Sequence, residues 1–252
     1  LGLVMVYSGL FVSDYVNMSD SAYHLKRQLM WVAAGLVVLV VASRFDYHRI
    51  RTFSWWFYGA SVAGLLLVLA IGVEKYGAKR WIDIGFSTVQ PSEYAKLGCV
   101  MVTALLLSEL CAGRLTNKEF WGRLGIASSV VTVLVMMQPD MGTTMSILIA
   151  VYTVLLLGGI SWLAIGGIAT VGLAGVFGAI AVAPYRAARM LAFLDPWADP
   201  QKGGYQTIQA LLAFGSGGVD GVGLGMSRQK FFYLPAAYTD FIFAIIGEEL
   251  GL

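Results

Sequence analysis

Seven or eight apolar segments, separated by polar connections, constrain this chain more than any other feature. Hydrophobic residues make up 58% of the sequence and charged residues only 13%, whereas soluble domains carry about 25% charged residues. The sequence therefore predicts an all-α fold, a polytopic bundle of transmembrane helices. We place the segments at residues 1–12, 29–43, 53–73, 97–112, 124–137, 141–157, 161–183 and 241–252.

The first and last apolar segments are too short to cross a bilayer, which takes about 20 apolar residues. The chain also begins at Leu1, without an initiator methionine or a basic leader. We therefore expect both terminal spans to be cut and the chain to be a fragment of a longer protein.

The density of basic residues in the loops predicts the orientation of the bundle. Residues 43–54 and 112–123 each carry three basic residues in twelve positions. Because short cytoplasmic loops are enriched in Lys and Arg, we place both loops in the cytoplasm. The longer connections, 13–28, 74–96 and 184–240, then face the outside.

Three function classes find little support in the sequence. A net charge of +2, without a basic tract that contains aromatic residues, argues against nucleic acid as a partner. The glycine-rich stretch 215–225 lacks the Lys-Ser/Thr ending of a phosphate-binding P-loop. No internal repeat is detectable, so the repeat architecture of secondary transporters is not indicated.

The junction between the last long loop and the final apolar segment holds the principal catalytic candidate, Asp240. It follows Thr239 and precedes Phe241 in the stretch FFYLPAAYTDFIFAIIGEELGL. A carboxylate at such a boundary can stay ionised and oriented while it reaches a lipid-borne substrate. The alternative is that Thr239 and Asp240 only cap the following helix.

Two external connections supply candidates for binding an anionic substrate. In GAKRWIDIGFSTVQPSEYAKL, cationic side chains could grip a phosphate and a tryptophan could anchor the loop at the membrane surface, although a solvated amphipathic connector explains the pattern equally well. The candidates there are Lys79, Arg80, Trp81, Glu93 and Lys96. The long loop 184–240 adds Arg186, Arg189, Gln206 and Lys230.

Three further acids stand at or inside the apolar segments. Asp140, in QPDMGTT, could cap the helix that follows or accept a hydrogen bond from a neighbouring loop. Glu248 and Glu249 lie about two turns into the final segment, where ionisable groups usually face a cavity or a partner. The alternative for this pair is a structural bond to a basic group of a neighbouring helix.

Four segments, taken together and in order, resemble the SEDS family of bacterial membrane proteins. They are GAKRWIDIGFSTVQPSEYAKL, QPDMGTT, YRAARMLAFLDPWADPQKGGYQTIQALLAFGSGG and GLGMSRQKFFYLPAAYTDFIFAIIGEELG, and the match covers essentially the whole chain. The DPWADP and SRQKFFYLP segments look more like the division branch, FtsW, and its sporulation relatives than like the elongation branch, RodA.

The resemblance implies a multi-pass enzyme of the bacterial cytoplasmic membrane that polymerises lipid II into glycan strands at the outer face during cell division. About eight of the family's ten helices are then expected here, in one domain over residues 1–252 with a large extracytoplasmic loop at 184–240. A class B penicillin-binding protein, which is a transpeptidase, and other divisome proteins are the implied partners, besides membrane lipid.

By the same resemblance, the catalytic acid of the family's TDF motif is Asp240. As a general base it would deprotonate the attacking sugar hydroxyl, while cations stabilise the departing diphosphate. The candidate diphosphate contacts are Lys79, Arg80, Arg186, Arg189 and Lys230, and a divalent cation, Mg²⁺ or Mn²⁺, could share that role. Two alternatives remain: a transporter that moves lipid II across the bilayer, and a non-catalytic scaffold that recruits the transpeptidase.

Overall fold

A computed structural model describes residues 1–75, 78–85, 87–182, 188, 191–235 and 237–251 of the chain. Within them the helices are α1 (Gly2–Met18), α2 (Tyr23–Arg44), α3 (Tyr47–Ile71), α4 (Pro91–Cys111), α5 (Asn117–Met137), α6 (Met141–Leu157), α7 (Trp162–Val182), α8 (Tyr205–Gly217) and α9 (Ile242–Leu250). Three short strands are β1 (Val73–Lys75), β2 (Ala78–Asp83) and β3 (Thr88–Val89). The prediction of a polytopic helical bundle is confirmed.

Four of these helices, α2 to α5, are long and apolar enough to span a membrane in the part of the chain that the structure describes. Helix α1 continues to Met18 and α2 already begins at Tyr23, so the connection predicted at 13–28 shrinks to four residues. The polar residues at the end of α1 and the start of α2 are accommodated within these helices. Asp14, in α1, accepts a hydrogen bond from the backbone N of His24, in α2, 3.0 Å away. Its other carboxylate oxygen contacts the His24 ring.

The chain forms two compact units, and the first consists of residues Phe45–Ala174. Helix α4 contacts α3, α5 and α6 in this unit. Its core includes Leu106, Phe120, Val131 and Ile147. The Tyr58 hydroxyl of α3 donates to the carbonyl of Ala127 in α5 at 2.9 Å, which satisfies a polar group inside an apolar core.

A small antiparallel sheet interrupts the helices of this unit between α3 and α4. Strand β2 lies between β1 and β3, and Glu74 pairs with Lys79 while Ile82 pairs with Val89. We predicted a surface-lying connector here from the alternation of apolar and polar residues, and that alternation is also the two-residue period of a strand. Pairing of the strands gives hydrogen-bond partners to backbone groups that lie outside the helices.

The second unit combines Leu1–Arg44 with Gly175–Leu252. Residues of α1, α8 and α9 and of the loop between α8 and α9 form its core, which includes Met5, Ala213, Leu234 and Ile245. The long loop predicted at 184–240 is therefore not structureless in its described part, since it contains α8 and contributes Leu234 to the core.

Glycines set the distance between α8 and α9. A Cβ atom added at Gly217 would lie 2.1 Å from the carbonyl oxygen of Gly247, so the two backbones are in direct contact. The glycine-rich stretch 215–225 is also hydrogen-bonded to the end of α9. The backbone N of Val222 donates to the Glu248 carbonyl at 2.9 Å, and that of Gly223 to the Glu249 carbonyl at 3.0 Å.

We expect Gly217→Ala to destabilise the protein by about 1–3 kcal/mol, because the new methyl group must push two backbones apart. Gly215→Ala is the matched control in the same helix, since a Cβ atom there meets nothing within 4 Å and alanine favours a helix by up to about 1 kcal/mol over glycine. The unfolding temperature in detergent measures both effects. Equal unfolding temperatures for the two variants would contradict the close contact.

Candidate active site

Asp240 lies in the turn immediately before α9, with its side chain exposed. The residue at the N-cap position is Phe241, and no side chain caps the helix. The turn is closed by the backbone, where the N of Ile242 donates to the Thr239 carbonyl at 3.4 Å. The carboxylate of Asp240 has no hydrogen bond or ion pair with any described residue. The capping alternative therefore finds no support for this side chain.

The backbone that leads to Asp240 is anchored although its side chain is exposed. Leu234 and Ala237 are buried in the core of their unit. The Tyr205 hydroxyl of α8 donates to the carbonyl of Tyr233 at 2.8 Å. Tyr238 packs against α1, where a Cβ atom at Gly9 would lie 3.7 Å from the Cβ atom of Tyr238. The segment thus presents a carboxylate from a fixed backbone, as a catalytic group requires.

Exposed aromatic side chains accompany Asp240 along the chain. Phe231, Phe232, Tyr233 and Phe243 are each more than half exposed. Aromatic residues are enriched at the boundary between lipid and water. Their exposure next to a free carboxylate agrees with the predicted position of Asp240 at a membrane interface.

Lys230 is buried rather than open to a ligand. Only 6% of the residue is exposed, and its Nζ atom lies 3.2 Å from Oε1 of Glu249. The same ammonium group donates to the carbonyl of Gly225. Glu249 also accepts from the Ser8 hydroxyl at 2.7 Å. The structure thus gives this lysine, predicted as a diphosphate contact, a partner within the protein.

Glu248 holds the loop that precedes Lys230. Its carboxylate accepts from the backbone N of Arg228 at 3.1 Å and of Gln229 at 3.4 Å, and from the hydroxyls of Ser216 and Ser227. A buried carboxylate is stable only when such donors replace its water. The structural alternative for the glutamate pair holds, although the basic partner comes from the same long loop and not from a neighbouring helix.

In the Phe45–Ala174 unit, Arg80 fastens the sheet to the turn between α5 and α6. Its Nε donates to the carbonyl of Gln138 at 3.2 Å, and Nη2 donates to the carbonyl of Pro139 at 2.5 Å. Nη1 lies 3.6 Å from Oδ2 of Asp140. Three contacts within the protein leave Arg80 with 27% of its side chain exposed.

Asp140 performs both of the roles that the sequence left open. Its carboxylate caps α6 by accepting from the backbone N of Thr143 at 3.0 Å. It also accepts from Nε2 of Gln90, which belongs to the neighbouring external connection, at 3.3 Å. Gln90 was not among our candidates, because nothing in its sequence position indicates a partner fifty residues away.

The remaining candidates differ in their surroundings. Lys79 is exposed on β2, and its ammonium has no partner among the described residues. Trp81 is partly buried, and Lys96 pairs with Glu93 one helical turn away at 3.0 Å. Gln206 is exposed in the first turn of α8. Arg186 and Arg189 lie outside the described residues.

Sequence reasoning missed the serines and the histidine that complete these contacts. Ser8 and Ser227 bind the glutamate pair from opposite ends of the chain, and His24 contacts the buried Asp14. A lone serine or histidine carries no spacing signal, so only the fold could have revealed them.

A metal site built from the protein alone is not found in the described part of the chain. No three His, Cys, Asp or Glu side chains come together there in a way that could hold an ion. The expected Mg²⁺ or Mn²⁺ would therefore need oxygens from a substrate besides one or two protein carboxylates, an arrangement that Mg²⁺ commonly adopts with phosphates.

Sequence comparison relates the chain to bacterial cell-division and sporulation proteins. Stage V sporulation protein E of Bacillus subtilis is 38% identical over 254 residues, which are all of this chain and 69% of that protein. A protein of Tolumonas auensis named probable peptidoglycan glycosyltransferase FtsW is also 38% identical, over all of this chain and 65% of its own length. The chain thus spans about two thirds of these relatives.

Solved structures give the same relationship. The rod shape determining protein RodA of Thermus thermophilus is 25% identical with a TM-score of 0.61, and the match covers 99% of this chain and 66% of RodA. A chain of a peptidoglycan synthase complex, described as coordinating polymerization and crosslinking, is 27% identical with a TM-score of 0.69 over 100% of this chain and 71% of that one.

A family model described as cell cycle protein, which covers FtsW, RodA and SpoVE, matches residues 1–252. The match confirms the expectation drawn from the four motifs. The chain belongs to the FtsW/RodA/SpoVE family, the SEDS proteins.

Proposed function

We propose that the protein is a peptidoglycan glycosyltransferase that polymerises lipid II at the outer face of the cytoplasmic membrane during cell division. The observation that carries the proposal is the free, exposed carboxylate of Asp240 on an anchored backbone before α9. The names of the FtsW relatives support the reaction. The division branch is also supported by 38% identity to FtsW and to the sporulation protein, against 25% to RodA.

In this reaction Asp240 acts as the general base. It accepts the proton of the 4-hydroxyl of an incoming lipid II while that oxygen attacks the anomeric carbon of the growing strand. The bond to undecaprenyl pyrophosphate breaks with inversion at this carbon. One carboxylate is enough, because a diphosphate leaves as an anion and needs no second acid to protonate it.

Cations must then stabilise the charge that develops on the diphosphate. Lys79 is the first candidate among the described residues, because its ammonium is exposed and has no protein partner. Arg80 keeps 27% of its side chain exposed and could share the contact. Lys230 is a weaker candidate, since a substrate would have to compete with Glu249 for it. We propose that Mg²⁺ or Mn²⁺ adds to this charge through the substrate's phosphate oxygens.

Contacts of the buried ionisable groups favour an enzyme over a transporter. The buried charged side chains of the described residues each have a partner, and they are Asp14, Asp140, Lys230, Glu248 and Glu249. Ionisable residues inside a membrane span usually mark a substrate or ion pathway, and helices α6 and α7 contain no Asp, Glu, Lys, Arg or His. The peptidoglycan synthase complex among the related structures supports a class B penicillin-binding protein as the partner.

We expect Asp240→Asn to lower the rate of glycan polymerisation by about a hundredfold or more, because a general base contributes 10²- to 10⁴-fold. The full protein, purified with its transpeptidase partner, is given lipid II, and the polymer is measured on a gel. Asp220→Asn is the matched control, since Asp220 is another exposed acid of the same long loop.

Undiminished polymer from Asp240→Asn would remove this residue from the mechanism. No polymer from the unmodified protein would favour transport instead. That alternative is then measured as movement of lipid II across vesicles.

Lys79 and Lys230 should respond differently to the same substitution. Lys79→Gln should slow polymerisation without a change in the unfolding temperature, because the side chain is exposed. Lys230→Gln should destabilise the protein by about 3–5 kcal/mol, since it leaves Glu249 buried without its ion-pair partner. Adding Glu249→Gln to Lys230→Gln should restore part of the loss. An unchanged unfolding temperature for Lys230→Gln would contradict the ion pair.

A further inference from the structure

An apolar groove of about 510 Å³ lies at the start of α3. It is lined by Phe45, Arg49, Ile50, Thr52, Phe53 and Trp56, and nearly all of its surface is apolar. Phe53 is 57% exposed and Trp56 is 77% exposed. Side chains of this size and exposure form a surface that water does not favour.

The groove is on the outward side of α3. Arg49, Phe53 and Trp56 follow one another at intervals of four and three residues, so they share one face of the helix. The residues by which α3 packs into its unit include Ser54, Tyr58 and Leu65. At 3.6 residues per turn, these three residues are centred roughly 150° around the helix from the first three. Packing inside the unit therefore leaves the groove open.

The guanidinium of Arg49 is free to bind an anion. It has no hydrogen bond or ion pair with any described residue. By contrast, Arg51 lies 3.7 Å from Glu109. The nearby acid, Asp46, is used to cap α3, where it accepts from the backbone N of His48 at 2.9 Å. The groove thus has an apolar body and one unpaired cation at its rim.

The position of the groove along α3 corresponds to the depth in a membrane at which lipid headgroups meet acyl chains. Arg49 and Trp56 are seven positions apart in the sequence, which is roughly 10 Å along a helix. Helix α3 is long and apolar enough to span a membrane, and tryptophan prefers the interfacial layer. The basic residues of 43–54 predict that this end faces the cytoplasm, where anionic lipids attract Lys and Arg.

We propose that this groove is a binding site for an anionic phospholipid of the cytoplasmic leaflet. Arg49 donates to the phosphodiester, for which a guanidinium is well suited. One acyl chain lies against Phe53 and Trp56. Charge complementarity at Arg49 selects an anionic lipid over a zwitterionic one, and the apolar lining requires a chain that free phosphate lacks. The site does not depend on the proposed enzymatic activity.

Quenching of Trp56 fluorescence by brominated acyl chains tests the proposal. The protein is reconstituted in phosphatidylcholine vesicles that contain either brominated phosphatidylglycerol or the same fraction of brominated phosphatidylcholine. The contribution of Trp56 is the difference between the unmodified protein and Trp56→Phe. The expected result is a preference of roughly fivefold for the anionic lipid, as one interfacial arginine contributes about 1 kcal/mol.

Two variants show whether the preference comes from Arg49. Arg49→Gln should abolish it, whereas Arg51→Gln should leave it intact because Arg51 is paired with Glu109. Both side chains are exposed, so neither change should affect folding. Equal quenching by the two lipids, or a preference that persists in Arg49→Gln, would overturn the proposal. Competition by inorganic phosphate alone would also overturn it, since it would indicate an anion site without a lipid.

Discussion

Burying charge in an apolar chain is the constraint on which this structure most depends. A carboxylate removed from water must find donors within the protein, or it costs several kcal/mol. Glu248 and Glu249 meet this requirement by collecting backbone N–H groups, serine hydroxyls and the Lys230 ammonium. In doing so they fix the loop at residues 225–230, from which the chain continues to Asp240. The buried pair therefore stabilises the backbone, while the side chain of Asp240 stays exposed.

The Phe45–Ala174 unit meets the same constraint with a different set of residues. Asp140 is the buried acid there, and it receives donors from α6, from Gln90 and from Arg80. Arg80 also ties the small sheet to the turn between α5 and α6. As a result β2 has a fixed place in its unit, and neighbouring Lys79 is presented on a structured strand. In each unit, a buried acid whose oxygens accept hydrogen bonds thus supports an exposed side chain that has no partner among the described residues. That side chain is Asp240 in one unit and Lys79 in the other.

Hydropathy predicted the middle of most helices better than their ends, but it did not predict α8, which lies within the long loop 184–240. The segment 141–157 coincides with α6, and 161–183 nearly coincides with α7. In both cases the apolar run and the helix end at nearly the same residue. Helix α3 starts six residues before its predicted segment, since Asp46 caps a polar first turn that hydropathy does not detect. The sheet was missed because its strands are only two to six residues long.

Site residues were predictable only where local sequence determines their surroundings. The exposed boundary position of Asp240 and the capping role of Asp140 both follow from the residues beside them. The ion pair of Lys230 with Glu249 joins positions nineteen residues apart, and that of Arg80 with Asp140 joins positions sixty apart. Such pairs depend on how the chain folds back on itself, which motif order alone does not reveal.

The glycine contact between α8 and α9 has a mechanical meaning. At Gly217 the backbone of α8 meets the carbonyl of Gly247 directly, and beside this contact the Phe214 side chain of α8 lies against Gly247. A side chain at either glycine would collide with the facing helix, so the contact restricts sliding of one helix past the other. Because α9 begins directly after the segment that carries Asp240, we expect any movement of that segment to carry α8 and α9 together.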